Sequence, residues 1–128
     1  MLIDKEYNWR GKTILIAEDE EINYLFLERV LMSTNATLVR ASNGQAAIDI
    51  VNSNPNISLI LMDIRMPDIN GVEATESIKK LRPALPVVAQ TCYENEMNLD
   101  DYPHAHFDGF VSKPVNINKL LEIVDKLI

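Results

Sequence analysis

Short β-branched runs alternate along the chain with stretches whose apolar residues recur at helical spacing, the pattern of stacked βα units around a parallel sheet. Thr13-Ile14-Leu15-Ile16-Ala17 reads as the first strand. A helix follows, with Ile22, Leu25, Phe26 and Val30 predicted on its inner face. Ala36 to Arg40 reads as the second strand, and Ser42 with Gln45 as a capping box for a helix that turns Ala47, Ile50 and Val51 inward. The run Ser58-Leu59-Ile60-Leu61-Met62 is almost continuously apolar, as expected of a central strand covered on both faces. Asn70 and Glu73 cap a third helix, with Ala74, Ile78 and Leu81 inward and Pro83 as its stop. Pro86 to Gln90 forms a fourth strand, with proline at the position where a missing donor matters least. Phe110-Val111 centres a short fifth. A last helix follows Asn116, with Ile117, Leu120, Leu121, Val124 and Ile128 on one stripe. Five strands and about five helices result.

Two segments break the rhythm. Glu94 to His106 has no apolar stripe and contains Pro103, which predicts a short or frayed fourth helix. Residues 1–12 read as an extension or linker ahead of a domain over 13–128, with Trp9 as a packing anchor.

Composition narrows the function. A chain of 128 residues fits one domain, and 47% hydrophobic with 24% charged residues is ordinary for a globular protein. A net charge of −7 disfavours nucleic acid or anionic membrane as a partner of this domain. The single cysteine, Cys92, fits a reducing compartment. No apolar run is long enough to span a bilayer, and Met1 to Lys12 does not read as a signal peptide, so the expected location is cytoplasmic.

In open parallel sheets, ligands bind beyond the carboxyl ends of the strands. Glu18-Asp19-Glu20-Glu21 follows the first strand, Asp63 and then Arg65 the third, Thr91 the fourth, and Ser112-Lys113-Pro114 the fifth. Taken singly, each has an ordinary reading: helix capping for the acids, a turn for Asp63, a solvated loop for Lys113. Their conjunction on one rim is what points to a site. Carboxylates about 5 Å apart repel by roughly 3 kcal/mol at an effective dielectric near 20. A hard divalent cation with oxygen ligands, Mg²⁺ above all, would offset that, whereas the rim lacks the thiolate or imidazole ligands that zinc or copper prefers.

The segments Ile14 to Glu20, Leu61 to Pro67 through Gly71, Gln90-Thr91 and Gly109 to Pro114 resemble the receiver domains of two-component signalling. The wording of Ile16 to Leu27, with Trp9 to Lys12 and Ala89 to Thr91, resembles receivers fused to hybrid sensor histidine kinases. That resemblance implies a doubly wound, flavodoxin-like five-stranded parallel sheet of order 2-1-3-4-5 with helices on both faces. It implies Asp63 as phosphoacceptor and Mg²⁺ as cofactor, held by Glu18, Asp19, Asp63 and the backbone carbonyl of Arg65. Thr91 and Lys113 would hold phosphoryl oxygens, with Lys113-Pro114 in the cis form. Thr91 and Phe110 would form the conformational switch, and Arg65 and Tyr93 would modulate phosphoryl lifetime. The implied partners are a sensor histidine kinase or a histidine-phosphotransfer domain, and a second receiver in a dimer. The domain would assist its own phosphorylation and dephosphorylation without being a stand-alone enzyme. Cys92 stands where the family usually has a small residue and reads as an inert thiol. His104 and His106, lacking further ligands nearby, read as loop residues.

Other classes fare worse. A flavodoxin-type carrier needs a hydroxyl- and glycine-rich loop where this chain has four acids. A haloacid-dehalogenase-type phosphatase needs an acid at position 65, which is arginine. No glycine-rich nucleotide motif is present. A receiver that acts as an interaction module without phosphorylation is the remaining alternative, and the intact acid, threonine and lysine set speaks against it.

Overall fold

The computed structural model describes residues 5–91 and 105–128. Within them the order is β1 (Thr13–Ala17), α1 (Glu21–Met32), β2 (Thr37–Ala41), α2 (Gly44–Ser53), β3 (Ile57–Asp63), α3 (Gly71–Leu81), β4 (Val87–Thr91), β5 (Gly109–Ser112) and α4 (Ile117–Leu127). All strand pairs are parallel, and the sheet order is β2-β1-β3-β4-β5, as expected. The fourth helix anticipated between Glu94 and His106 falls almost wholly outside the described residues, as do Cys92, Tyr93 and His104. His106 is exposed.

Side chains of a strand alternate between faces, and here both faces are covered. Ile14 and Ile16 of β1, with Leu59 and Leu61 of β3, pack against Leu27, Val30 and Leu31 of α1 and Leu120, Leu121 and Val124 of α4. Leu15 and Ala17, with Ile60 and Met62, pack against Ala47 and Val51 of α2 and Ala74 and Ile78 of α3. Leu59 to Met62 are all fully buried, each contributing about 2 kcal/mol of apolar burial. That double coverage explains why the third run is apolar at nearly every position.

Three sequence expectations need correction. The inner face of α1 is Leu27, Val30 and Leu31, whereas Ile22, Leu25 and Phe26 are 81%, 49% and 41% exposed. Leu81 likewise ends α3 half-exposed. The helix α2 is capped not by Ser42 with Gln45 but by Asn43, whose side chain accepts the Ala46 amide at 2.8 Å. Gln45 instead reaches Asp49 along its own helix, at 3.0 Å. The Asn70–Glu73 capping box is present.

Trp9 is 5% exposed and belongs to the core on the α1/α4 face. Its indole N–H donates to Asp125 at 2.8 Å, and its backbone N–H donates to the Thr34 carbonyl at 2.6 Å. Tyr7 packs beside it, with ring centroids 5.5 Å apart. The anchor role expected of Trp9 is thus met by packing.

Candidate functional site

The carboxyl ends of β1, β3, β4 and β5 open on one rim, and each delivers a polar side chain there. Glu18 directly follows β1, and its backbone N–H continues the ladder by donating to the Ala41 carbonyl at 3.0 Å. Its carboxylate is fully buried and accepts the Glu20 amide at 3.2 Å. Asp19, next in sequence, is exposed. Asp63 is the last residue of β3, 3% exposed, paired across the sheet with Gln90. Glu18, Asp19 and Asp63 present carboxylate oxygens that all lie within 4.8 Å of one another.

The Asp63 carboxylate is steered from both sides. Its Oδ1 accepts the backbone N–H of Arg65 at 3.1 Å, so the chain turns back on the end of β3. Lys113 Nζ lies 3.2 Å from the same oxygen and 3.4 Å from Glu18 Oε1. Gly71, at the start of α3, presses against this turn: its N–H donates to the Ile64 carbonyl at 2.9 Å, and a Cβ there would collide with the Asp63 carbonyl oxygen and lie 2.7 Å from Ile64 Cα. Only glycine permits that approach.

Charge in the cluster is unbalanced. Three carboxylates face one ammonium among the described residues, and Glu18 is shifted toward its neutral form. Burial first, then a carboxyl hydrogen bond to Asp63 and its charge, push Glu18 from 4.5 up to about 7, against the pull of Lys113. For Lys113, burial disfavours the charged form, but Asp63 and Glu18 outweigh it and the net shift is upward. The ammonium is therefore locked on, while Glu18 is the group that yields. A dication with oxygen ligands would restore balance, and the donor set, all carboxylate, suits a hard ion.

Thr91 ends β4, 7% exposed, and its carbonyl accepts the Lys113 amide at 2.8 Å, which ties the fourth and fifth strand ends together. The Lys113–Pro114 peptide is cis. Phe110, on β5, is 51% exposed, and its ring centroid is 5.6 Å from that of Phe107. Arg65 is exposed at the rim. Of the residues expected at the site, Glu18, Asp19, Asp63 and Lys113 converge directly, Thr91 adjoins them through Lys113, and Phe110 lies on the outer surface. Tyr93 lies outside the described residues.

The sequence reading missed two anchoring side chains, one behind this rim and one at the opposite edge of the sheet. Arg40 bonds the carbonyls behind Glu18 and Asp19. Lys79, 6% exposed, donates to the Leu85 carbonyl at 2.7 Å and to Asp108 at 2.8 Å, while Asp108 also accepts the Val87 amide at 2.8 Å. That knot joins the end of α3 to the starts of β4 and β5. A lysine in the last turn of a helix and an aspartate just before a strand are the only trace it leaves in sequence.

A family model described as the response regulator receiver domain matches residues 14–125. The chain belongs to that family. Two-component response regulator 24 of Arabidopsis thaliana is 31% identical over 115 residues, covering 90% of this receiver and 83% of the plant protein. The autoinducer 1 sensor kinase/phosphatase LuxN of Vibrio harveyi is 32% identical over 119 residues, 93% of this receiver but only 14% of LuxN. Among solved structures, the receiver domain of the Pseudomonas aeruginosa sensor histidine kinase PA1611, which carries a magnesium ion in its active-site cleft, superposes with a TM-score of 0.82 at 24% identity, covering 91% of this chain and 97% of that one. Receivers related to this one therefore occur both as small regulators and as short segments of long sensor kinases. No helix among the described residues is long and apolar enough to cross a membrane.

Proposed function

We propose that this receiver accepts a phosphoryl group on Asp63 from a phosphohistidine, with Mg²⁺ held at Glu18, Asp19, Asp63 and the Arg65 carbonyl, and passes the signal on through Thr91 and Phe110. The observation that carries the reading is the placement of Lys113 Nζ 3.2 Å from Asp63 Oδ1, inside a ring of carboxylates drawn within 4.8 Å. Phosphoryl transfer asks little covalent chemistry of the protein; positioning and charge neutralisation dominate. An Asp63 oxygen forms the new P–O bond as the P–N bond to the donor imidazole breaks, leaving an aspartyl phosphate. When bound, Mg²⁺ supplies charge neutralisation for the carboxylates and the incoming phosphoryl oxygens. Lys113 is fixed to meet one of those oxygens, and the Thr91 hydroxyl another. Arg65 borders the site, and it would set, together with Tyr93, how readily water reaches the product.

The donor has a face to dock on. Ile22 and Phe26 on α1, with Gln90, Lys113, Pro114 and Val115, line a cavity of about 440 Å³ beside the acids. The Gln90 Nε2 there has no hydrogen-bond partner among the described residues. An apolar, half-open face next to the acceptor suits a helix of a sensor histidine kinase or histidine-phosphotransfer domain. On the output side, Phe110 has no hydroxyl, so turning inward strands no polar atom. The switch is therefore less tightly tied to phosphorylation than a tyrosine would make it.

The test is chemical. Incubation with Mg²⁺ and acetyl phosphate should add one phosphoryl group by intact mass, and Asp63→Asn should abolish the gain. A wild-type protein that gains nothing, from acetyl phosphate or from a phosphorylated histidine-phosphotransfer domain, would favour an interaction module that works without phosphorylation.

A further inference from the structure

The loop that carries Glu18 and Asp19 is held from behind by a side chain outside every motif of the site. Arg40, on β2, alternates with Leu38 toward the α1 face, and its side chain is 26% exposed. Its Nε and Nη2 lie 3.3 and 3.2 Å from the Glu18 carbonyl oxygen, and Nη2 lies 3.4 Å from that of Asp19. The guanidinium carbon sits 4.6 Å from the ring centroid of Tyr24, whose hydroxyl donates to Glu28 at 2.9 Å. Glu21 Oε2 borders the fork at 4.0 Å from Nη1. Stacking on one side and an acid at the edge thus orient the fork, and the fork fixes two consecutive carbonyls.

Fixing those carbonyls fixes the peptide planes, and with them the directions in which the Glu18 and Asp19 side chains leave the backbone. From this geometry we infer that Arg40 is a positioning residue for the divalent-cation site, holding the first-strand acids toward Asp63 by its planar fork rather than by its charge. The inference rests on the proposed cation site and adds a determinant of its affinity. Charge alone makes the opposite prediction. A guanidinium behind the loop repels a dication bound in front of it, so removing Arg40 would tighten binding if electrostatics governed. Loss of an orienting partner behind the ligands loosens it, by roughly tenfold in metal affinity.

Calorimetric titration of the metal-free protein with Mg²⁺ at pH 8 separates the two. Arg40→Met keeps the apolar stem and loses the fork, while Arg40→Lys keeps a charge and loses the fork. Both should weaken Mg²⁺ binding by roughly tenfold. Melting without metal is the companion measurement, because a purely structural role would lower the melting temperature and leave the dissociation constant alone. Should Arg40→Met fail to fold, Arg40→Lys carries the test. Unchanged or tighter binding in Arg40→Lys, with wild type binding normally, overturns the positioning role alone. No binding by wild type overturns the cation site, and Arg40's role with it.

Discussion

Replacing Glu18 by glutamine should make the metal-free protein progressively more stable than wild type as pH rises. Glu18 is fully buried, beside Asp63, and its folded-state value is about 7 against 4.5 when unfolded. Below 4.5 the carboxyl is protonated in both states, and folding is indifferent to it. Between 4.5 and 7 the unfolded chain has released the proton while the folded protein still holds it, so stability falls as pH rises. Above 7 both states are ionised and the loss is complete. A displacement of that size corresponds to roughly 3 kcal/mol, from about 1.4 kcal/mol per pH unit. Coulomb's law gives the same order: two carboxylate oxygens at 4.8 Å repel by about 3 kcal/mol at an effective dielectric near 20. Urea unfolding followed by fluorescence of Trp9, the single tryptophan and a buried one, measures this. The difference between Glu18→Gln and wild type cancels the groups remote from the site and leaves the titration of Glu18 with its neighbour Asp63. It should grow by roughly 3 kcal/mol from pH 4.5 to pH 8 and then stay level, and Mg²⁺ at pH 8 should reverse it by stabilising wild type. Parallel wild-type and variant curves across that range would refute the reasoning.

Lys113→Met leaves Asp63 and Glu18 without their ammonium and should destabilise by about 3 kcal/mol at pH 8, less at pH 6 where Glu18 takes up a proton; urea titrations at the two pH values check the order. Gly71→Ala drives a Cβ into the Asp63 carbonyl and should cost about 2 kcal/mol of overpacking. The same variant should slow phosphoryl uptake from acetyl phosphate, because the turn that aims Asp63 must move. Lys79→Met strips Asp108 and the Leu85 carbonyl of their shared donor and should cost about 2 kcal/mol, with faster hydrogen exchange confined to the starts of β4 and β5.

How legible the protein is in its sequence differs between backbone and side chains. The strands, their order and the rim of acids are readable because a parallel sheet puts every strand's carboxyl end on one side. Residues that directly follow apolar runs must therefore meet. The inner face of α1 was not readable. With Ile22, Leu25, Phe26, Leu27, Val30, Leu31 and Met32, the helix is apolar around much of its circumference, and helical periodicity does not decide which arc faces the sheet. The cap of α2 escaped for a related reason: Ser42 and Asn43 both cap well, and the folded chain uses Asn43, which accepts the Ala46 amide. Arg40 was invisible because its partners are backbone carbonyls of Glu18 and Asp19, more than 20 positions away, which no residue pattern encodes.

The same contrast explains how a crowded acidic site survives in a stable fold. The sheet is closed on both faces by apolar contacts that do not depend on the rim, so the core can carry a local penalty of a few kcal/mol at Glu18. That penalty is useful. A buried acid shifted toward its neutral form by burial and by Asp63 gives the rim a preference for added positive charge. Lys113, kept charged by its two acids, cannot move to fill the need, because its backbone is pinned to Thr91 and its head to Asp63. Binding at the rim is thus coupled to the ends of β1, β3 and β5 together. The most exposed of these is β5, four residues long, with Phe110 lying outward on it. A short edge strand tied to the site by Lys113, and to the far end of the sheet by Lys79 through Asp108, is where a change in charge at Asp63 can become a change in surface at least cost to the core.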